Sequence, residues 1–386
     1  MKKIVITIFF LAFAIFAQSQ DSKFSNITVN GYVKYMNTVM FSDINDIWMS
    51  DNLIHNRLNL RWYATNNLTV GLGLRNRFIY GDFVKNIPGY DNIIENDNSF
   101  INMSENLLSE KSFLMNTNLD RAWVEYNKNN LNIKLGRQRI NWGQNFVWNP
   151  NDIFNSYSFF DFDYEERPGS DAMRVQYYNS YTSVMEAAVS INAKDEITAA
   201  GFYRFNKSGY DFQVLGGIVN SSDYVIGTGW SGSIKDVSWS GELSYLYPKN
   251  NIGDTSGILL SSVAANYMFN NSLYVSTEVL FNGNAKNVNI AGLNQYYYRP
   301  MSVKTLSFSE WSYFGQLTYP IHPLLKGTFS VMYYPQIDAY YIGPSLEYSL
   351  QDNFSISLNA QAFKGKFSPG TTEELNMIFF RLRWSF

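Results

Sequence analysis

Glu374–Phe386, the last thirteen residues of the chain, reads ELNMIFFRLRWSF and alternates between two kinds of side chain. One set of alternate positions is apolar and consists of Ile378, Phe380, Leu382, Trp384 and Phe386. The other set consists of Met377, Phe379, Arg381, Arg383 and Ser385. A period of two is typical of a β-strand whose faces meet different surroundings. The segment therefore predicts a final strand with one apolar face and one face that carries two arginines.

The N-terminus predicts export from the cytoplasm. Basic residues at Met1–Lys3 precede an apolar core at Ile4–Ala17, and small residues lie at Ala17 and Ser19. This pattern predicts a signal peptide at 1–19, cleaved after Ser19, followed by a single domain at 20–386. The chain has no cysteine, which excludes a lipid-anchored N-terminus of the lipoprotein type, disulfides and thiolate metal sites.

Composition favours a membrane barrel over a soluble domain. Mean hydropathy is −0.22, yet aromatic residues reach 17% and charged residues only 16%. Many strands with one lipid-facing and one wet face would produce this combination. The net charge of −3 is too small to suggest a nucleic-acid partner.

Alternating segments of about ten residues recur along the chain and predict an all-β fold. The fold class is a closed transmembrane antiparallel β-barrel of about 18 strands, with 16 as the alternative count. The predicted strands are 25–41, 53–65, 67–80, 119–127, 131–138, 171–178, 182–191, 197–205, 210–219, 222–233, 236–247, 256–268, 272–282, 307–319, 325–334, 338–349, 353–364 and 374–386.

The connections between these strands sort by length. Every second one is a tight turn rich in asparagine, aspartate or glycine, such as Asn66–Asn67. The connections between the tight turns include all the long ones, namely Gly81–Asn118, Arg139–Ser170, Gly283–Leu306 and Gly365–Glu373. Short turns on one side and long loops on the other are typical of membrane barrels.

Alternation also predicts which charges face the lumen, because a basic side chain in the lipid would cost about 2–4 kcal/mol. The predicted basic wall consists of Lys34, Arg57, Arg61, Arg75, Arg77, Arg121, Lys134, Arg174, Arg381 and Arg383. The predicted acidic wall consists of Glu186, Glu242, Glu278, Glu310 and Glu347. Opposed walls would set up a field across the pore that selects among solutes. The alternative is that the charges only solvate a wet lumen.

The segment Leu135–Phe154, LGRQRINWGQNFVWNPNDIF, follows the fifth predicted strand. Its Gly-Arg-Gln and Asn-Trp-Gly runs, with Asn149-Pro150 and Arg167-Pro168-Gly169 downstream, resemble porin-like outer-membrane families of Gram-negative bacteria, including alginate-export-type barrels. The terminal aromatic strand likewise resembles the sorting strand of outer-membrane barrels. Arg137 interrupts the alternation and indicates a bulge or a strand already above the bilayer.

The resemblance implies periplasmic turns, extracellular loops and a third loop, 139–170, that folds into the barrel as a constriction opposite the basic wall. The implied constriction residues are Arg137, Arg139, Trp142, Asp161, Asp163, Glu165 and Glu166. The implied partners are outer-membrane lipid, lipopolysaccharide, small hydrophilic solutes and the barrel-assembly machinery, which would bind the C-terminal strand. An external lid is the alternative for this loop. Both a monomer and a trimer fit the sequence.

These features predict a channel for passive diffusion of small hydrophilic or anionic solutes, with no cofactor and no catalytic site. The alternatives are a substrate-specific channel or exporter for an acidic saccharide or polymer, and a structural or adhesive barrel with a plugged lumen. His55 and His322 are predicted as solvated residues at opposite rims, too far apart for a shared site. Tyr296–Arg299 with Trp311 could form a sugar platform, although packing in a loop or an interfacial girdle is the more common role.

Overall fold

Eighteen strands pair edge to edge and close into one antiparallel barrel, and a nineteenth strand, β4, lies outside this cycle. The computed structural model describes residues 26–161, 163–250, 256–285, 301–368 and 371–386. The predicted all-β barrel and its count of 18 wall strands are confirmed. The predicted signal peptide at 1–19 lies outside the described residues.

The strands have the following bounds: β1 Ile27–Phe41, β2 Met49–Tyr63, β3 Leu68–Gly81, β4 Ser104–Ser109, β5 Phe113–Lys128, β6 Leu131–Gln138, β7 Ser170–Ser180, β8 Ser183–Ile191, β9 Ile197–Lys207, β10 Tyr210–Val219, β11 Asp223–Ile234, β12 Val237–Pro248, β13 Ile258–Met268, β14 Tyr274–Asn282, β15 Trp311–His322, β16 Leu325–Tyr334, β17 Ala339–Gln351, β18 Phe354–Ser368 and β19 Thr371–Ser385. Two short helices, α1 at Asp82–Asn86 and α2 at Tyr90–Glu95, lie between β3 and β4. Two 3-10 turns occupy Val303–Thr305 and Pro335–Ile337.

The first and last strands close the barrel. The register of β1 against β19 runs from Tyr32 opposite Ser385 to Phe41 opposite Asn376. Beyond the end of this ladder, Gly31 and Phe386 exchange two backbone hydrogen bonds, each 2.9 Å long. The chain terminus is therefore part of the seam.

The outer surface of the barrel is apolar. On β19, Ile378 is 38% exposed and Phe380 39%, whereas the alternate residues Met377 and Phe379 are 5% and 7% exposed. Outward positions on other strands follow the same rule, among them Leu72, Val214, Leu243 and Phe329. Such a surface is suited to lipid and not to water, so the barrel spans a membrane.

No helix in the described part of the chain is both long and apolar enough to cross a membrane.

The connections sort onto two ends, called here the turn side and the loop side. Turn-side connections are short, such as 64–67, 129–130 and 181–182, and the longest connections, 82–112, 139–169 and 283–310, are all on the loop side. One predicted long loop is wrong: β18 continues to Ser368 and β19 starts at Thr371, because the two strands remain paired well beyond Gly365–Glu373.

β5 starts at Phe113 and not at residue 119 as predicted, and β4 pairs with its first half. The reason lies in β6, which pairs only with residues 122–128 of β5 and then ends at Gln138. An open strand edge would expose unpaired backbone groups, and β4 covers it in place of β6. Gly136 of β6 takes φ +112, and a Cβ there would lie 2.2 Å from the Ala122 carbonyl oxygen on β5.

Candidate functional site

The connection between β6 and β7, residues 139–169, runs inside the barrel and is called here the inner loop. In the first half of this loop, the Nε1 of Trp142 donates to Glu186 on β8 at 2.7 Å. The Trp142 ring stacks on Phe202 of β9, with centroids 5.0 Å apart. Gln213 on β10 donates to the Trp142 carbonyl at 2.9 Å. Inward-facing side chains of three consecutive strands therefore hold this residue.

Two carboxylates of the predicted acidic wall bind the backbone of the inner loop. Glu242 on β12 accepts backbone N–H groups from Gln144, from Asn145 at 3.1 Å and from Asn151 at 2.8 Å. Glu278 on β14 accepts those of Val147 at 2.9 Å and Trp148 at 2.7 Å. Both carboxylates are fully buried, so they bind the loop and present no charge to the open interior of the barrel.

The second half of the inner loop is acidic and meets the basic wall. Asp163 lies 2.6 Å from Lys34 on β1. Glu165 pairs with Arg383 at 2.7 Å and with Arg381 at 3.6 Å, both on β19. Further contacts join Glu166 to Arg57 at 3.8 Å and the Glu166 carbonyl to Arg121 at 2.6 Å.

These carboxylates offset repulsion built into the wall. Lys34 lies directly opposite Arg383 in the β1–β19 register, and Arg57 lies opposite Arg75 between β2 and β3. Like charges directly opposite one another destabilise a sheet. Asp163, Glu165 and Glu166 neutralise them, as does Asp120, a bulge residue of β5 that forms an ion pair with Arg57. The basic wall therefore complements the inner loop.

The sequence predicted His55 as a solvated rim residue, and that prediction is wrong. His55 belongs to this buried network. It is 0% exposed, and its Nδ1 lies 3.6 Å from Asp163. Arg75 donates to its Nε2 at 3.3 Å and stacks 4.0 Å above the Tyr164 ring. Burial alone would raise the pKa of Asp163, but Lys34 and His55 together hold that pKa well below its ordinary value. His322 is exposed at a turn-side strand end, as predicted.

Four predicted basic-wall residues are not among those that contact the inner loop through an ion pair, a hydrogen bond or ring stacking. Arg61 is exposed towards the turn side. Lys134 lies 3.6 Å from Glu125 and 3.7 Å from the Trp123 ring centre, and Arg174 is its cross-strand neighbour. Arg77 donates to the Ile94 carbonyl and to Asn116. Among the described residues, then, the wall carries two groups of cations, one bound to the loop and one outside it.

Three predicted site residues have other positions. Glu310 precedes β15 and is not on the barrel wall, because that strand begins at Trp311. Glu347 is half-exposed and pairs at 2.7 Å with Lys326, an inward lysine on β16 that the sequence analysis did not identify. Arg137 lies in ion pairs with Asp97 at 2.7 Å and Asp171 at 2.8 Å, which fasten the segment before β4 to the end of β6. Glu310 therefore lies outside the barrel wall, and Arg137 lies in a buried ion-pair cluster at the end of β6.

The inner loop has its own exposed surface within the barrel. Phe146 is 50% exposed and packs near Phe159, with ring centroids 5.7 Å apart. Arg139 and Arg167 lie over the Tyr157 ring, 5.2 and 4.1 Å from its centre. Other exposed residues in the same stretch are Asn141, Asp161, Glu165 and Pro168. Of the predicted constriction residues, Arg139, Asp161 and Glu165 thus reach the open interior of the barrel. Trp142 and Asp163 instead hold the inner loop to the barrel wall.

Asp152 is buried behind this surface, 4.0 Å from Arg139. Burial raises the pKa of Asp152 to about 7, against the opposing effect of the Arg139 charge.

Apolar contacts inside the barrel complete the attachment of the inner loop. Phe160 packs on Tyr341 of β17 and Phe363 of β18, with ring centroids 5.0 and 4.8 Å apart. Trp148 lies against Phe314 of β15. The alternation of the strands places some large apolar residues on faces predicted to meet water. This contradiction was the sequence signal that another segment covers those faces. Of the predicted sugar platform, Tyr296–Arg299 lies outside the described residues, and Trp311 packs beside Phe281 at 5.1 Å and is 43% exposed.

Among the described residues, no group of three or more His, Asp or Glu side chains is placed to hold a metal ion.

The barrel is similar in fold to solved structures of bacterial proteins. Pseudomonas aeruginosa OccK11 (OpdR) shares 10% identity over 94% of this chain and 96% of its own, with a TM-score of 0.57. Acinetobacter baumannii OccAB1 shares 10% over 95% and 99%, and Pseudomonas aeruginosa OpdQ shares 8% over 93% and 98%, each with a TM-score of 0.57. No family model and no curated protein matches the chain. At such identities the similarity establishes the fold alone.

Proposed function

We propose that the chain forms a channel of the Gram-negative outer membrane, through which small hydrophilic or anionic solutes diffuse passively past the inner loop. The observation that carries this proposal is a closed barrel with an apolar exterior and a loop bound across its interior. The fold shared with the Occ and Opd barrels supports the same reading. Barrels of 16–18 strands are wide enough for an aqueous path.

Solute selection in this channel comes from the inner loop and not from two uncovered charged walls. Glu242 and Glu278 are saturated by loop N–H groups, and Lys34, Arg57 and Arg383 are paired with carboxylates. On the exposed surface of the inner loop, the described charged residues that form no ion pair with the barrel wall are Arg139, Arg167 and Asp161. Two cations and one anion there would favour anions modestly.

Single-channel recording of purified, refolded protein in planar bilayers tests the proposal. Discrete conductance steps with a reversal potential on the anion side are expected. Changing Arg139 and Arg167 to Gln should move that potential towards cations, whereas Lys366→Gln, at an exposed salt bridge on the β18–β19 hairpin, should leave it unchanged. Conduction with no shift in the double variant would refute selection by the loop.

A plugged structural or adhesive barrel is the second candidate, and one observation favours it. Inward side chains are buried on strands all around the barrel, including Thr38, Ala188, Ser262 and Met332. A complete absence of conductance steps from correctly folded protein would support this candidate. In liposome swelling with graded solutes, a sharp and saturable preference would instead favour the substrate-specific channel for an acidic saccharide.

A further inference from the structure

A cavity of about 710 Å³ opens on the loop side of the barrel, apart from the exposed surface of the inner loop. Its walls come from β3 and β5, the segment after α2, the first residues of β9, the stretch 153–156 of the inner loop, and residues 301–303. This volume lies in the range of pockets that hold small molecules.

Neutral polar side chains dominate the lining of this cavity. They are Asn96, Asn98, Ser99, Asn118, Asn155, Ser156, Ser170, Ser190, Asn192, Thr198, Asn220 and Ser302. Four basic and three acidic residues also line it, which leaves little net attraction for an ion. Three of these charges are already engaged, since Arg137 pairs with Asp97 and Asp120 pairs with Arg57. The lining therefore offers hydrogen bonds more than charge.

Three buried polar atoms of lining residues have no hydrogen-bond partner within the described ranges, the Nε of Arg77, the Oδ1 of Asn118 and the Oδ1 of Asp120. Arg77 lies opposite Asn116, and Asn118 lies two residues further along β5, so Arg77 and Asn118 are diagonal neighbours on one face. Such neighbours are about 7–8 Å apart and within reach of one ligand. The Arg77 atom is a donor, and the other two atoms are acceptors.

We propose that this cavity binds a neutral polyhydroxylated solute, of the size of a mono- or disaccharide. A hydroxyl group both donates and accepts, so a sugar satisfies the Arg77 donor and the Asn118 acceptor together, whereas a carboxylate can only accept. Phe154 and Tyr164 add ring surface to the same lining. The assignment rests on the proposed channel function in one respect, namely that solute reaches the loop side of the barrel.

Saturation-transfer NMR on the detergent-solubilised full chain tests this inference, with maltose, glucuronate and acetate as probes. Maltose should bind saturably, glucuronate no more tightly than maltose, and acetate not at all. Asn118→Leu, which removes the acceptor, should weaken maltose binding about tenfold. Asn118→Asp keeps an acceptor and should retain binding.

Two further variants provide a second test of the site and a control. Arg77→Lys keeps the charge but removes Nε, so it should also weaken binding, and it serves if Asn118→Leu does not fold. Asn30→Leu changes an asparagine of β1 that does not line the cavity and should have no effect.

Acetate binding more tightly than maltose, or maltose binding that ignores Asn118 and Arg77, would overturn the assignment. Maltose binding by a barrel that never conducts would support the site while defeating the channel proposal. Conduction without maltose binding would do the reverse.

Discussion

Asp152 and Asp163 lie on the same loop, but their surroundings move their pKa values in opposite directions. Asp152 is buried with a single cation 4.0 Å away, and its pKa rises to about 7. Asp163 is enclosed by Lys34 and His55, and its pKa falls. The attachment of the inner loop is therefore linked to pH at both residues.

Attachment of the inner loop should weaken as pH rises from about 4 to about 7. Over that range the docked loop keeps the Asp152 proton while the free loop, with an ordinary pKa near 4, loses it. Asp163 acts in the opposite sense, since its contribution is present above about pH 4 and is lost below it. Hydrogen exchange of amides 144–152, corrected for intrinsic rates, should show greater protection at pH 5 than at pH 8. Asp152→Asn should reduce the difference, and equal protection in the parent protein would contradict the linkage.

At the level of single residues, the sequence was sufficient to place side chains but not to pair them. Alternation assigned Arg57, Glu242 and Glu278 to the inward face because a strand has only two faces. Their partners depend on the path of a long loop, which no local pattern encodes. His55 was misjudged for that reason, since it contacts Asp163 of the inner loop, about 100 positions away in the chain.

Among the elements, the inner loop shows how a strand wall can bind a backbone. Its anchors on β12 and β14 accept five N–H groups that would otherwise be buried without partners. The strands themselves were predictable because their period and turn residues are local. β4 was not, because it exists only to cover the edge that β6 leaves open on β5.

Glu242→Gln should loosen the inner loop. The amide keeps one acceptor oxygen and replaces the other with an NH2 group, which then faces an N–H group of Gln144, Asn145 or Asn151. A buried donor without an acceptor costs about 1–3 kcal/mol. The expected result is lower stability to urea and a larger, noisier conductance. Glu347→Gln is the matched control, because its half-exposed pair with Lys326 is worth only about 0–1 kcal/mol. Identical behaviour of the two variants would argue against an anchoring role for Glu242.

For the whole molecule, closure depends on the chain terminus. Phe386 exchanges two backbone hydrogen bonds with Gly31, and Trp384 packs beside it with ring centroids 5.1 Å apart. The sequence anticipated the closed barrel from this terminal strand, since an amphipathic strand needs a partner on each edge. How full the interior is could not be anticipated, because that depends on contacts among distant segments.

Removal of Trp384–Phe386 should reduce the yield of folded barrel in the membrane. The seam would lose the Gly31 hydrogen bonds and two outward aromatic rings, and the proposed recognition by the assembly machinery would lose its terminal residue. Heat-dependent mobility of membrane fractions on SDS gels measures the folded fraction. Phe386→Tyr keeps the backbone bonds and the ring and should fold normally. Unchanged yield in the truncated chain would show that closure does not require these residues.

The inner loop contacts β1, β2, β3 and β5 on one side and β8 to β19 at many points on the other. A closed sheet alone resists stretching along its hydrogen bonds but flattens easily into an ellipse. A segment fixed at many points around the inside acts as a brace against that flattening. The barrel should therefore keep a round cross-section under lateral membrane pressure, and its stiffness should come as much from the inner loop as from its strands.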